Sequence, residues 1–176
     1  DLSDNSGFAA ALLELLEQAL AEHRDFRERE GAAILEDFRQ RTAIVAQCAE
    51  EVKALRADAT AYFTNRLRQR LDDLLGNNTV DAQRLAQEVA LLADKTDVSE
   101  ELTRLVVHID ELRQLLEAEG EVGKKLDFLL QEMNREANTL LAKTANTGEF
   151  GLRITKAGLT VKAEIEKMRE QALNLE

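Results

Sequence analysis

The chain has 176 residues and no proline, and its aromatic residues are 6 Phe, 1 Tyr and no Trp. Ordinary usage would give about nine prolines, and because proline breaks helices, its absence indicates long helices. A net charge of -11 argues at first against a nucleic-acid partner. No apolar run approaches the roughly 20 residues of a membrane span, and the single cysteine, Cys48, excludes an intrachain disulfide.

The negative charge is not evenly spread along the chain. Residues 1–37 and 81–121 each carry a net charge of -7, whereas residues 38–80 carry +2 and residues 122–176 carry +1. On charge alone, a solvated helix surface is the favoured explanation of these blocks. No signal peptide is visible, which predicts a cytoplasmic protein, and the first residue is Asp1 rather than Met, so we expect a fragment of a longer protein.

The first part of the chain, residues 8–75, predicts an almost continuous helix that breaks only at Gly31. Between residues 45 and 62 the apolar side chains alternate spacings of 3 and 4, typical of a coiled coil or an antiparallel helix pair. Such a helix would be about 100 Å long and cannot bury its apolar stripe alone. We therefore expect it to fold back on itself or to pair with another chain.

Shorter helices are predicted in the rest of the chain. A turn at residues 76–78 precedes a helix that Thr79 or Asp81 caps and that ends near Lys95. Asp97 and Glu100 have capping-box spacing and begin a helix that ends near residue 120. A helix over residues 124–144 and a final helix after residues 146–148 follow, and residues 150–155 can also be extended. The prediction is all-α: a long helical hairpin or coiled-coil-like arm at residues 1–78, then a small antiparallel helix bundle at residues 79–176.

Common catalytic and cofactor motifs are absent from the sequence. It has no phosphate-binding GxxxxGK[ST] loop, no GxGxxG and no GxSxG. One Cys and two His lack the spacing of a zinc site. We therefore predict no small-molecule cofactor. Cys48 lies on the apolar stripe between residues 45 and 62, and we interpret it as a small core residue.

Two helical faces remain as candidate sites. Steps of 3 or 4 place one imidazole among carboxylates and a guanidinium, at Asp97, Glu101, Arg104, His108 and Glu111. That face suits acid–base chemistry, an oxygen-coordinated metal or ordinary salt bridges.

The helix at 124–144 carries unusual polar residues outside its leucine stripe, namely Phe128, Gln131, Glu132, Arg135, Glu136, Asn138 and Thr139. These favour either specific partners or a polar network between helices. The clearest basic residues are Arg66, Arg68, Arg70, Lys124 and Lys125, a weak signal for phosphate binding.

Several segments resemble the YicC-like family of bacterial endoribonucleases. Residues 123–139, GKKLDFLLQEMNREANT, are closely similar to the family signature, and residues 84–105 followed by His108-Ile109, and residues 162–171, resemble it too. The resemblance covers essentially the whole chain but only the C-terminal half of the family protein, whose N-terminal domain does not match.

This resemblance implies an oligomeric cytoplasmic ribonuclease that cleaves structured or small RNA with Mn²⁺ or Mg²⁺. The catalytic residues it suggests are His108, Glu101, Glu132 and Glu136. The metal ligands it suggests are Glu101, Glu132, Glu136 and Glu88, and the RNA-binding residues are Arg104, Lys125, Arg135, Asn138 and Gln131. A metal held this way would activate water or stabilise the phosphate. These roles require the helices at 99–118 and 124–144 to lie side by side.

One departure from the family pattern concerns RNA binding. Leu141 and Ala142 stand where the family usually has Gly and Ser before a lysine, here Lys143, which puts RNA binding near Lys143 in question. The alternative function is a non-catalytic helical oligomerisation or scaffold module, supported by the long first helix and the acidic balance. A protein-binding adaptor rests on the same features.

Overall fold

The computed structural model describes residues 6–75, 81–118, 120, 122–144 and 148–173, and these form six helices and no strand. The all-α prediction is therefore confirmed. The helices are α1 Ser6–Ala57, α2 Ala59–Leu75, α3 Ala82–Lys95, α4 Ser99–Leu116, α5 Gly123–Thr144 and α6 Gly148–Ala172. Within these ranges, no helix combines the length and apolar character needed to cross a membrane.

The predicted break at Gly31 is wrong, since α1 continues through it. A single exposed glycine costs a helix only about 1 kcal/mol, too little to interrupt so long an element. The break lies at Asp58, whose N–H donates to the Leu55 carbonyl at 3.2 Å and whose carbonyl accepts from the Tyr62 N–H at 3.0 Å. A short polar residue favours this kind of helix start.

The other helix boundaries follow local capping. The Asp81 side chain accepts the Gln83 N–H at 2.9 Å, so the predicted Asp81 cap is confirmed. The capping box predicted from Asp97 and Glu100 is wrong, because the N-cap of α4 is Val98, which makes no side-chain cap bond. Asp97 instead accepts the Ser99 N–H at 3.0 Å from one residue before the cap, and Glu100 pairs with Arg104. Helix α4 ends at Leu116, before Gly120, which has a left-handed φ of 95°. The turn predicted at residues 76–78, and Thr79, lie outside the described residues.

An extended conformation for residues 150–155 is wrong, because α6 is helical from Gly148. Phe150 and Ile154, four residues apart, are only 7% and 1% exposed. They therefore lie on one buried face of the helix.

The chain divides into two compact units, residues 1–38 and residues 39–176. In the first, the described side chains of residues 7–33 are all exposed. In the second, α5 packs against both α4 and α6, and α2 packs against α3. The largest side chains below 2% exposure there are Val45, Val52, Phe63, Leu105, Leu112, Leu126, Leu130, Met133, Ile154, Ile165 and Met168. Burial of these side chains stabilises the unit by the hydrophobic effect.

Candidate functional site

Helices α4 and α5 lie side by side and antiparallel, as the predicted site requires. Glu101 near the start of α4 contacts Lys143 near the end of α5, and Arg104 contacts Glu136. Further along, His108 and Leu115 face residues 124–129 across a groove. The seam between the two helices therefore has an ion-paired end and an open end.

At the ion-paired end, Arg104 holds the Glu136 carboxylate with two parallel hydrogen bonds. Its Nε donates to Oε1 at 2.7 Å and its Nη2 donates to Oε2 at 2.8 Å. The Glu136 side chain is 6% exposed, so its charge needs a partner. These bonds, with the ion pair to Glu100, raise the pKa of Arg104 above its ordinary value, and the guanidinium stays charged. Its first role is to neutralise a buried acid.

Lys143 closes the same end of the seam. Its Nζ lies 2.9 Å from Oε1 of Glu101, whose side chain is 4% exposed, and donates to the Asp97 carbonyl at 2.9 Å. Asp97 also accepts hydrogen bonds from the Ser99 hydroxyl and N–H, which lower the pKa of its carboxyl together with the nearby cations of Arg56 and Lys143. The ammonium group of Lys143 is thus engaged in contacts within the protein.

The predicted carboxylates do not fit a resident divalent cation as they are arranged. Glu101 and Glu136 both point at Arg104, at 3.7 Å and 2.7 Å, and Glu101 also holds Lys143. A metal between them would meet a guanidinium and an ammonium group at short range, which is repulsive. Within the described residues, no group of three or more His, Cys, Asp or Glu side chains is placed to hold a metal ion.

The open end of the seam is a groove of about 400 Å³, lined by His108, Glu111, Leu115, Lys124, Lys125, Phe128 and Leu129. One wall comes from α4 and the other from the first turns of α5. Leu129 is buried at 7% exposure, whereas Phe128 is 66% exposed. The groove therefore combines apolar surface with two lysines and an imidazole.

His108 is the chemically most versatile group in this groove. Its Nδ1 lies 3.1 Å from a Glu111 carboxylate oxygen, and the imidazole is 20% exposed. In the tautomer that protonates Nδ1, the ring donates to Glu111 and Nε2 remains an acceptor. The carboxylate orients the ring, and Lys124 and Lys125 give the groove a local positive excess.

The other predicted site residues lie away from this groove or in contacts within the protein. Asn138 accepts a hydrogen bond from Lys162 of α6 at 2.9 Å, and Gln131 donates to Asp127 at 2.6 Å. Arg135 is 75% exposed and lies 3.7 Å from Glu132. Glu88 is exposed on α3.

The polar face of α5 is in part a contact with α6. Asn134 donates to Glu166 at 3.5 Å, and Asp127 lies 3.7 Å from Nε of Arg169. Together with the Lys162 bond, these contacts favour the polar-network interpretation for that side of α5. The opposite side, which carries Lys125 and Glu136, faces α4.

Sequence reasoning placed Glu111 on the helical face of His108 and Lys124 among the basic residues, but it gave neither of them a role in the site. Glu111 stands three positions after His108 and Lys124 stands beside Lys125. A spacing of three between an imidazole and a carboxylate on a helix was the available signal. The connection of Lys143 to Glu101 had no such signal, because it depends on how two helices are aligned.

The chain is similar to known proteins over nearly its whole length. A family model described as "Endoribonuclease YicC-like, C-terminal" matches residues 52–176. The chain is 36% identical over 166 residues to "Probable endoribonuclease YicC" of Clostridioides difficile (strain 630) and covers 55% of that protein, while the match includes 94% of this chain. It is 38% identical over 173 residues to the protein of the same name from Haemophilus influenzae (strain ATCC 51907 / DSM 11121 / KW20 / Rd), with 98% of this chain and 58% of that protein covered. The chain thus spans little more than half the length of these relatives, and it belongs to the YicC-like endoribonuclease family, matching its C-terminal domain.

Proposed function

We propose that this chain carries the RNA-cleaving groove of an endoribonuclease, at the open end of the α4–α5 seam. The observation that supports the proposal is the pairing of His108 with Glu111 beside Lys124 and Lys125. An oriented imidazole can act as a general base beside cations that hold a phosphate, and the relatives are named probable endoribonucleases.

In this proposal, His108 moves the proton and the lysines hold the phosphate. Nε2 of the neutral imidazole takes the proton from the attacking water, while Glu111 stabilises the imidazolium that forms. The ammonium groups of Lys124 and Lys125 offset the charge that develops on the phosphate oxygens. The leaving oxygen lies opposite the attacking water in an in-line displacement and takes its proton from a second water. His108 then returns its proton to the solvent, which restores the neutral ring.

A cleavage assay with a structured RNA labelled at its 5′ end tests the proposal. His108→Gln should slow cleavage by about a hundredfold or more. His23→Gln is the matched control, since His23 is the other histidine and is exposed on α1. The assay should include both this chain and a protein of the relatives' full length. Full activity of the His108→Gln variant in both would overturn the proposed role of the groove.

The metal dependence that the family resemblance implies stays a prediction. The assay is therefore run with Mn²⁺, with Mg²⁺ and with a chelator. Loss of cleavage on chelation would support a divalent cation bound with the RNA or by residues beyond the seam, because Glu101 and Glu136 are already neutralised by Arg104 and Lys143.

We also propose that residues 7–33 of α1 associate with a second copy of the chain. Phe8, Leu12, Leu16 and Leu20 recur every four residues and are 49–57% exposed, so they form an apolar stripe on one side of the helix. Light scattering of the chain should give a mass above 19.7 kDa, and Leu12→Lys with Leu16→Lys should lower it. Gln18→Lys is the control, and a monomer before any substitution would contradict this proposal.

A further inference from the structure

Phe128 is an exposed aromatic ring placed beside the phosphate-binding groups of the proposed groove. Its 66% exposure would be ordinary for an isolated surface residue. Here the ring lines the same groove as His108, Lys124 and Lys125. The large apolar surface is therefore positioned where a ligand of the groove would contact it.

Helix geometry places the lysines next to this ring. Lys124 and Lys125 precede Phe128 by four and three residues, so both lie about one turn, or 5.4 Å, before it on neighbouring parts of the helix surface. Two cations followed by an aromatic face are suited to a phosphate followed by a base. Flat aromatic rings bind bases of any sequence by stacking.

We propose that the groove binds an unpaired nucleotide, with the base stacked on Phe128 and its phosphate held by Lys124 and Lys125. This inference rests on the proposed RNA-cleaving function and specifies its substrate as RNA with unpaired bases. In a duplex the bases are stacked on each other, and the A-form major groove is too narrow for side chains to reach them. A base can stack on Phe128 only where the RNA is single-stranded, as in a loop, a bulge or an end.

Fluorescence anisotropy with two RNAs tests the inference. One RNA is a labelled oligouridine of about 12 nucleotides, which has little structure of its own, and the other is a blunt duplex of similar length. Phe128→Ala should weaken binding of the oligouridine about tenfold and change binding of the duplex less than about twofold. Phe128→Tyr keeps an aromatic face and should bind normally. Leu152→Ala, which removes a leucine 68% exposed on α6, is the control.

A variant of the two lysines distinguishes failure of this inference from failure of the proposed RNA-cleaving function. The double variant Lys124→Gln, Lys125→Gln should weaken both RNAs and reduce the slope of log affinity against log salt by about one to two. Suppose that the lysine variant weakens binding in this way. If Phe128→Ala then binds the oligouridine normally, or loses affinity for the oligouridine and the duplex equally, the stacking inference is wrong and the phosphate-binding groove stands. If the lysine variant binds both RNAs normally, the proposed function fails as well.

Discussion

Arg104 of α4 and Glu136 of α5 form a two-bond ion pair, at 2.7 Å and 2.8 Å, across the seam between the helices. The pair joins the helix that carries His108 to the helix that carries Lys124 and Lys125. Since the guanidinium and the carboxylate are both planar, two parallel bonds fix their relative orientation. The pair therefore sets how the two walls of the groove face each other.

Removing Arg104 should destabilise the protein. In Arg104→Met, the nearly buried Glu136 carboxylate loses both hydrogen bonds and is left uncompensated. We expect the melting temperature, followed by circular dichroism, to fall by about 5–10 °C. Arg104→Lys should recover only part of this loss, because an ammonium group cannot make the two parallel bonds.

The exposed pair of Arg113 and Asp110 provides the control. Its side chains are 54% and 59% exposed, so Arg113→Met should change the melting temperature by about 2 °C at most. Equal effects of Arg104→Met and Arg113→Met would show that the seam pair contributes no more than a surface ion pair.

Lys143 should matter for stability and not for RNA affinity. Its Nζ is held by Glu101 and by the Asp97 carbonyl. Lys143→Met should therefore lower the free energy of unfolding by about 1–2 kcal/mol in urea titrations. RNA affinity and its salt dependence should stay unchanged, in contrast to Lys124→Gln, which removes a proposed phosphate contact. A reduced salt slope in Lys143→Met would place this lysine in the RNA-binding surface.

Glu164 should make the stability of the second unit sensitive to acid. Hydrogen bonds from Lys167, and then from Arg41 at 2.6 Å, lower the pKa of this buried carboxyl, and the two nearby cations add to the effect. Because the pKa is lower in the folded state than in the unfolded chain, the stabilisation is complete above the ordinary glutamate value of about 4.3. It is lost as the pH falls through the folded-state value.

Urea titrations between about pH 6 and pH 3 measure this effect. The Glu164→Gln variant should lose less stability on acidification than the unsubstituted chain. Glu50→Gln, which changes a pair with side chains 63% and 67% exposed, should keep the original pH dependence. Parallel pH profiles for the chain and the Glu164→Gln variant would contradict the assignment.

Helix positions were predictable because apolar spacing is a local property. The stripe of α5, with Leu126, Leu130, Met133 and Ala137, predicts a helix from its 3–4 repeat, and all four residues are buried. The break at Asp58 was not predictable, since Gly31 is the stronger helix breaker by propensity. The break is visible in the backbone hydrogen bonds of Asp58, and helix propensity does not indicate it.

The candidate site was predictable in its residue types more than in its contacts. His108, a candidate from its helical face, and Lys125, a candidate from the family resemblance, both line the groove, whereas Arg104, Glu101 and Glu136 neutralise one another. A single helix shows which residues share a face, and it does not show which face of another helix they meet. The alignment of α4 with α5 supplies that information.

The contact between Leu141 and Gly158 provides the last test. A Cβ added to Gly158 would lie 2.9 Å from Cδ2 and 3.2 Å from Cγ of Leu141, and 3.0 Å from Cδ2 of Leu140. The missing side chain at 158 thus makes room for the larger residue at 141. Gly158→Ala gains about 1 kcal/mol of helix propensity but forces these leucines to move, which costs about 1–3 kcal/mol.

Gly158→Ala should therefore be neutral or destabilising in the chain itself and less unfavourable, or stabilising, in the Leu141→Ala background. The difference, measured by urea titration of all four proteins, should be about 1 kcal/mol. Gly31→Ala is the control for propensity alone, since a Cβ there meets nothing within 4 Å, and it should raise the helix signal of the chain. If Gly158→Ala has the same effect with and without Leu141, the two residues are not coupled.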